Sequence, residues 1–238
     1  MAFYATTDLH GRKDMYLKMK AMLKEDDVVF FCGDAGDRGP DGWDLIKTIY
    51  EDEQFVYIKG NHEDMLVNAM IAYQRKPGST SRAFKLLCDN GGEKTFQDWQ
   101  RDGCDYDWID KLESLPCHKE YTNKDGTLIL MSHAGYTPWY DEENPEKITV
   151  PDEFEMIWNR DHFYEDWDNE HFPHHIIVHG HTPIPHLANR LLDKREDLSH
   201  GAYWYDGSHK VCLDNLSAFS NVACLLNLDT FEEIIVEA

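Results

Sequence analysis

The stretch from Val28 to Gly39 constrains the fold of this chain more than any other. The apolar run Val28-Val29-Phe30-Phe31-Cys32 leads directly into Gly33-Asp34-Ala35-Gly36-Asp37-Arg38-Gly39. A short apolar run that ends at turn residues is typical of a buried strand. Because carboxylates ligate divalent cations and a guanidinium binds phosphate, we expect Asp34 to bridge two metal ions and Arg38 to hold a phosphoryl group.

Strand and helix patterns alternate over the first third of the chain. Strands are predicted over residues 2–7, 28–32 and 55–58, and an amphipathic helix over 13–24 is the first of the helices that follow them. This βαβαβ order indicates a parallel sheet. Polar motifs stand directly after the strands, at the edge where open α/β sheets place their sites.

The rest of the chain is predicted to extend this core within one domain, 1–238. Residues 77–116 contain amphipathic stretches separated by glycines and indicate a helical insertion packed on the sheet. An Asp-Gly turn at 125–126 predicts a hairpin, and the region 138–174 is an acidic and aromatic loop region. A strand is predicted at 176–178, and closing antiparallel strands are predicted at 211–213, 223–228 and 233–236.

Charge and cysteine usage narrow the classes of partner. The formal net charge is −22, whereas nucleic-acid binders carry a basic patch and anionic membrane surfaces attract basic segments, so neither partner is expected. The six cysteines form no CxxC pair, which disfavours a structural zinc site and indicates reduced thiols. With no pattern of a signal peptide or membrane helix, the expected location is cytoplasmic.

Metal-binding residue types follow five of the predicted strands. Asp34 lies 26 residues after Asp8, and Asn61 lies 27 after Asp34, each interval being about one βα unit. Neighbouring strand ends can converge, and this mixture of imidazole, carboxylate and amide oxygen suits manganese, iron or zinc. We expect two divalent ions, manganese foremost. The candidate donors are Asp8, His10, Asp34, Asn61, His133 and His181.

Five motifs in a fixed order give the chain a family resemblance. They are D-x-H-G from Asp8, G-D-x-x-D-R-G from Gly33, G-N-H-E from Gly60, H-A-G from His133 and G-H-T-P from Gly180. Together they resemble the serine/threonine phosphoprotein phosphatase branch of the calcineurin-like metallophosphoesterases, and most of all its small bacterial and phage lambda-type members. Residues 157–160 (I-W-N-R) and 90–92 (N-G-G) are similar to that subgroup. The implied fold is a mixed α/β, two-sheet β-sandwich flanked by helices.

The resemblance also implies roles for individual residues. Asp8 and His10 would bind the first metal ion, Asp34 would bridge, and the second ion would be held by Asn61, His133 and His181. A hydroxide between the ions would attack phosphorus directly.

The remaining implied roles concern the phosphoryl group and its leaving oxygen. His62 would act as the general acid, and Asp37 would orient it. Arg38 and Arg160, with Asn61, would contact the substrate. His179 precedes His181 by two residues, and we expect it to pack or to orient a neighbour rather than to bind metal.

Three positions depart from the family pattern. Thr7 stands where a glycine commonly precedes the first aspartate, and Leu216 where a glycine commonly follows Asp214-Asn215. Pro183 occupies the position at which relatives outside this branch carry a second histidine, so one metal ligand is expected from this loop.

The resemblance implies a metal-dependent phosphomonoesterase that acts on a phosphoprotein or a small phosphate ester, foremost a protein serine/threonine phosphatase. Two other functions stay open. A symmetrical dinucleoside polyphosphate hydrolase would use the same metal site with different pocket walls, formed by 77–116 and 138–174. A non-catalytic binding module would be expected to have lost a ligand or the acid, and every expected position is filled here.

Overall fold

The computed structural model describes residues 1–78, 80–143, 149, 151–193 and 200–238. The first half of the chain alternates strands and helices as expected and then adds three consecutive helices. Its elements are β1 (Phe3–Thr6), α1 (Lys13–Met22), β2 (Val28–Phe31), α2 (Gly42–Glu51), β3 (Phe55–Tyr57), α3 (Asn61–Arg75), α4 (Arg82–Asp89), α5 (Glu93–Arg101), α6 (Asp107–Glu113), β4 (His118–Thr122) and β5 (Leu128–Ser132).

The second half is richer in short elements and contains two helices, α8 and α9, and a strand, β7, that the sequence analysis did not predict. Its elements are α7 (Glu153–Trp158), β6 (His175–His179), α8 (Ile184–Arg190), β7 (Tyr203–Tyr205), β8 (Lys210–Cys212), α9 (Ser217–Ser220), β9 (Val222–Asn227) and β10 (Glu233–Glu237). Short 3₁₀ turns lie at Asp161–Tyr164 and Asp206–Ser208.

The strands form two five-stranded sheets, with the orders β10-β9-β1-β2-β3 and β4-β5-β6-β8-β7. Alternating side chains of each strand face opposite ways, which explains the unbroken apolar run of β2. Val29 and Phe31 pack in a cluster with residues of the helices, whereas Phe30 joins Ile129 and Val178 between the sheets. The predicted two-sheet sandwich flanked by helices is confirmed.

Parallel pairing gives each sheet one edge at which three strands end together. β1, β2 and β3 are mutually parallel in the first sheet, and β5, β6 and β8 in the second. The prediction that the last strands are all antiparallel is wrong for β8, which runs parallel to β6. The unpredicted helix α8 lies in the connection between them, and parallel neighbours need such a crossover.

The region 77–116 contains α4, α5 and α6, whose side chains Leu87, Phe96 and Trp99 enter the helix-facing core of the first sheet. Ser79 lies outside the described residues. The predicted loop region at 138–174 is described except for 144–148 and 150. It contains α7, and it buries His162 and Phe163 rather than forming only a surface segment. The one-domain organisation stays a prediction.

The helices of the described chain include none long and apolar enough to cross a membrane.

Candidate metal centre

The turns after β1 and β2 hold their polar side chains through an unusual backbone. Asp8, His10 and Asp34 have φ values of 52°, 44° and 61°, in the left-handed region that non-glycine residues seldom adopt. The two turns hydrogen-bond to each other, from Asp8 N to the carbonyl oxygen of Gly33 and from His10 N to that of Asp34, each at 3.0 Å. This pairing aims the side chains of both turns at one point, and strain of this kind is concentrated at functional sites.

Asp34 lies at the centre of the cluster. Its Oδ2 is 3.6 Å from His10 Nε2, and its Oδ1 is 3.3 Å from His133 Nε2. Two groups of three side chains have donor atoms within 4.8 Å of one another: His10, Asp34 and His62, and Asp8, Asp34 and His133. Because Asp34 belongs to both groups, its carboxylate is placed to serve two cations.

Asn61, His133 and His181 converge on the second group. The Oδ1 of Asn61 lies 2.9 Å from both His133 Nε2 and His181 Nδ1, and these two nitrogens are 3.2 Å apart. All three side chains are buried. The structure therefore brings together all six residues predicted as metal ligands.

The second ring nitrogen of each histidine fixes how the ring is presented. His10 Nδ1 and His133 Nδ1 donate to the carbonyl oxygens of Gly36 and Cys32 at 2.9 and 2.7 Å. His181 Nε2 donates to the carbonyl oxygen of Trp158 at 3.2 Å. In each ring the other nitrogen faces the cluster, where it could bind a metal ion through its lone pair once it carries no proton.

Two glycines allow the ligand turns to approach closely. A Cβ at Gly60 would overlap Asp34 Oδ1, and a Cβ at Gly180 would overlap Asp8 Oδ2. Asp8 Oδ2 also accepts hydrogen bonds from His181 N at 3.0 Å and from the Thr7 hydroxyl at 2.6 Å. Thr7, which stands where the family commonly has glycine, thus donates a hydrogen bond to Asp8, and Asp8 keeps its place in the cluster.

His62 begins α3 and differs from the other histidines in its partner. Its Nδ1 lies 2.6 Å from Asp37 Oδ2, and its Nε2 lies 3.0 Å from Arg38 Nη2. Burial lowers the pKa of His62, but the carboxylates of Asp34 and Asp37 outweigh it and raise this pKa above its ordinary value. The two carboxylates therefore favour the protonated ring more than water does, and the protonated ring is the form that a general acid requires.

Two guanidinium groups border the cluster from opposite sheets. Arg38 is exposed and reaches both His10 Nε2 and His62 Nε2. Arg160 follows α7 and donates from Nε to the Thr182 hydroxyl at 2.9 Å and from Nη2 to the His181 carbonyl oxygen at 3.4 Å. The predicted phosphate-binding arginines thus lie on the two sides of the candidate metal site.

Glu63 is a residue whose part in the site the sequence analysis missed. Its side chain is fully buried and accepts four hydrogen bonds. The donors are the backbone N–H groups of Asp34, Ala35 and Gly60 and the hydroxyl of Tyr57. The G-N-H-E motif contained the signal, since a buried acid can satisfy the backbone donors of a neighbouring turn.

Asp214 is a second such residue. It follows β8, which with β1, β2, β3, β5 and β6 makes six strands that pair in parallel. Each of the six strands is therefore followed by a polar residue of the candidate metal centre. Burial and the nearby Asp8 carboxylate raise the pKa of Asp214 well above its ordinary value. The Leu213-Asp214-Asn215 sequence after an apolar run was the available signal.

His179 lies beneath the metal cluster and not in it. Its Nδ1 donates to the Gly180 carbonyl oxygen at 3.0 Å, and its Nε2 accepts from the Tyr205 hydroxyl at 2.8 Å. Burial lowers the pKa of His179 to about 3, which keeps the ring neutral.

The order of these motifs along the chain has a counterpart in a known family. A sequence profile described as "Calcineurin-like phosphoesterase" matches residues 1–222. The chain belongs to the calcineurin-like phosphoesterase family. The position of Asp34 in both donor groups agrees with the dinuclear metal site of this family.

Curated relatives in the family carry dinucleotide names. The chain is 25% identical over 169 residues to the symmetrical bis(5'-nucleosyl)-tetraphosphatase of Legionella pneumophila (strain Lens), which covers 69% of this chain and 55% of that protein. It is also 25% identical over 219 residues to the asymmetrical bis(5'-nucleosyl)-tetraphosphatase PrpE of Bacillus velezensis, covering 81% and 83%. The chain therefore spans about half the length of the Legionella relative.

Solved structures share the fold at low identity. A provisionally assigned diadenosine tetraphosphatase has a TM-score of 0.59 at 15% identity, covering 99% of this chain and 93% of its own. A cold-active protein-tyrosine phosphatase from a Shewanella species has a TM-score of 0.54 at 17% identity, covering 98% and 76%. At these identities the similarity shows the fold alone.

Proposed function

We propose that this chain is a metal-dependent hydrolase of dinucleoside polyphosphates. The observation that carries the hydrolase is the position of Asp34 in both donor groups, with His62 and two arginines beside it. The dinucleotide substrate is supported by the names of the curated relatives, which include a symmetrical and an asymmetrical enzyme. These names favour the dinucleotide hydrolase over the protein phosphatase that the motifs first indicated.

The residues present fit a pair of divalent ions. Carboxylate and imidazole donor atoms converge within 4.8 Å of one another, and His10, His133 and His181 each turn to the cluster the ring nitrogen that does not bind a backbone carbonyl oxygen. Asp8, His10 and Asp34 would hold one ion, and Asp34, Asn61, His133 and His181 the other. When bound, the ions supply positive charge next to the phosphoryl group and acidify water.

The side chains around the cluster divide the remaining work. Arg38 and Arg160 would bind non-bridging phosphate oxygens and neutralise the charge that develops as the bond to the incoming water oxygen forms. His62 would donate its proton to the oxygen of the departing nucleotide as the P–O–P bond breaks. Asp37 would hold the ring in position through the 2.6 Å hydrogen bond to Nδ1.

A second candidate is a protein serine/threonine phosphatase, which one observation favours. Residues 157–160 resemble the phage-type phosphatases, and Arg160 is bound to the His181 loop beside the candidate metal ligands. Such an enzyme would use the same groups on a phosphoserine or phosphothreonine ester.

A substrate panel decides between the two. The protein is stripped with a chelator, restored with manganese and assayed in parallel on diadenosine tetraphosphate, p-nitrophenyl phosphate and phosphoserine peptides, with Asp34→Asn as the inactive control. We expect kcat/KM for the dinucleotide to exceed that for the peptides at least tenfold. The products, two ADP or ATP with AMP, identify the phosphorus attacked. A reversed preference supports the phosphatase, and no metal-dependent turnover refutes the hydrolase.

A further inference from the structure

A cavity of about 520 Å³ lies between the segment that follows β5 and His133 and the segment that contains α7 and precedes β6. Its lining includes Gly135, two residues after His133, and Asn159, directly before Arg160. The wall also contains His162 and the half-exposed indole of Trp139. None of the metal ligands or arginines assigned above lines this cavity, so it is free to hold a part of the substrate other than the phosphate.

A directional hydrogen-bond chain runs from the metal-ligand loop to His162. His179 donates from Nδ1 to the Gly180 carbonyl oxygen, so its Nε2 accepts the Tyr205 hydroxyl proton at 2.8 Å. The Tyr205 oxygen then accepts from His162 Nε2 at 3.2 Å. A neutral His162 has its only proton on Nε2, which leaves Nδ1 as a hydrogen-bond acceptor.

This acceptor has no partner among the described residues. His162 is only 3% exposed. Burial holds the pKa of its ring well below the ordinary value, which favours the neutral form. Buried polar atoms are nearly always hydrogen-bonded, so an unpaired acceptor on a residue that lines a cavity points to a ligand that supplies the donor.

The other walls indicate the class of that ligand. Four carboxylates line the cavity, those of Asp152, Glu155, Asp161 and Glu165, and the described residues that line it include no lysine or arginine. Such walls repel a phosphate but accept hydrogen bonds from ribose hydroxyls, as acidic residues do in dinucleotide-binding folds. Trp139 is 48% exposed and offers a face on which a base can stack.

We propose that this cavity binds one nucleoside of the substrate, with the base against Trp139 and a base N–H group recognised by His162. The inference rests on the proposed dinucleotide hydrolase and deepens it. The charged and uncharged parts of the ligand would bind in different places. The polyphosphate would lie at the metal ions and arginines, and the uncharged nucleoside would lie between the aromatic and acidic walls of the cavity. Tyr205 is a positioning residue, because its hydroxyl fixes which nitrogen of His162 accepts.

The first test replaces the stacking surface. Trp139→Ala in the manganese-loaded protein should weaken adenosine binding, measured by calorimetry, about tenfold. It should also lower the ratio of kcat/KM for diadenosine tetraphosphate to that for p-nitrophenyl phosphate about tenfold. The matched control is Phe154→Ala, an exposed aromatic residue that lines a separate cavity of about 620 Å³ and should change neither quantity.

The second test addresses the hydrogen bond. Adenosine carries an exocyclic amino group, and purine riboside lacks it, so the wild-type protein should bind adenosine at least fivefold more tightly. In Tyr205→Phe the partner of His162 Nε2 is lost, so either ring nitrogen of His162 can carry the proton. The affinities of this variant for adenosine and for purine riboside should therefore become similar. A merely structural effect of the missing hydroxyl would weaken both nucleosides equally and would overturn the assigned role of Tyr205 and His162.

The outcomes separate this inference from the proposed function. If the dinucleotide is hydrolysed but Trp139→Ala leaves both readouts unchanged, or Phe154→Ala alters them, the nucleoside site is elsewhere and the inference fails while the hydrolase stands. If the dinucleotide is not hydrolysed but adenosine binds and depends on Trp139, the proposed function fails and the nucleoside site stands. A phosphopeptide that loses more than the dinucleotide in Trp139→Ala would assign the cavity to peptide and overturn the inference.

Discussion

Glu63 accepts a hydrogen bond from the backbone N–H of Asp34 at 2.9 Å, and this contact binds the start of α3 to the turn after β2. The same side chain accepts from Ala35 N at 3.0 Å and from Gly60 N at 2.8 Å. A single buried acid therefore fixes the turn that presents the central metal ligand and the residue that precedes Asn61 and His62.

Glu63→Gln should lower both stability and metal affinity. Each carboxylate oxygen of Glu63 accepts two hydrogen bonds, and an amide NH₂ in place of one oxygen would face two donors. Leaving buried donors unpaired costs about 1–3 kcal/mol each, so we expect a loss of about 2–5 kcal/mol in urea unfolding. The exposed Glu53→Gln is the control. Equal stability of both variants would contradict the role assigned to Glu63.

Asp34→Asn and His62→Asn should both abolish most activity, but for different reasons. Asp34 belongs to both donor groups, so its amide variant should lose bound manganese by elemental analysis. His62→Asn should retain the metal. It should also lose more activity toward phenyl phosphate than toward p-nitrophenyl phosphate, because the better leaving group needs less protonation. Equal metal content in wild type and Asp34→Asn would count against the bridging role.

Asp37→Asn should move the pH dependence of kcat. A general acid must be protonated, so activity falls as pH rises through its pKa. Burial lowers the pKa of His62 and the carboxylates of Asp34 and Asp37 raise it, so removing the Asp37 charge should shift this alkaline limb to lower pH. We expect kcat to fall about 10–100-fold at neutral pH, a part of what a general acid contributes. Asp41→Asn, at an exposed acid, should leave the profile in place. An unmoved limb in Asp37→Asn would remove the His62–Asp37 pair from catalysis.

His179 should make stability fall in mild acid. Its pKa is about 3 in the folded chain and about 6.5 when unfolded, so between these values the unfolded state binds a proton that the folded state does not. The neutral ring therefore contributes fully to the free energy of unfolding above pH 6.5. Between pH 6.5 and about 3 this contribution falls by about 1.4 kcal/mol for each unit by which the pH is lowered. Urea unfolding with a chelator present should therefore show a shallower pH slope in His179→Asn than in wild type. The exposed His174→Asn should keep the wild-type slope, and identical slopes in all three proteins would refute this linkage.

Much of the architecture could be predicted from local patterns. The run from Val28 to Cys32 indicated a strand buried on both faces, and β2 is enclosed by the helix-facing and inter-sheet cores. The six predicted metal ligands converge because parallel strands end at a common edge, which the βαβαβ order indicates. Helix α8 and the parallel pairing of β8 escaped prediction because short elements carry little periodic signal and their pairing depends on distant partners.

The sequence by itself determined which residue types stand at the strand ends, and hence that a metal site with phosphate-binding arginines would form there. Only the tertiary structure decided how these groups are oriented. The acceptors that orient the rings of His10, His133 and His181 are the carbonyl oxygens of Gly36, Cys32 and Trp158, which lie 26, 101 and 23 residues away along the chain. The roles of Glu63 and His162 could not be predicted for the same reason. Burial and hydrogen-bond partners give a side chain its chemistry, and both depend on long-range packing that no local pattern records.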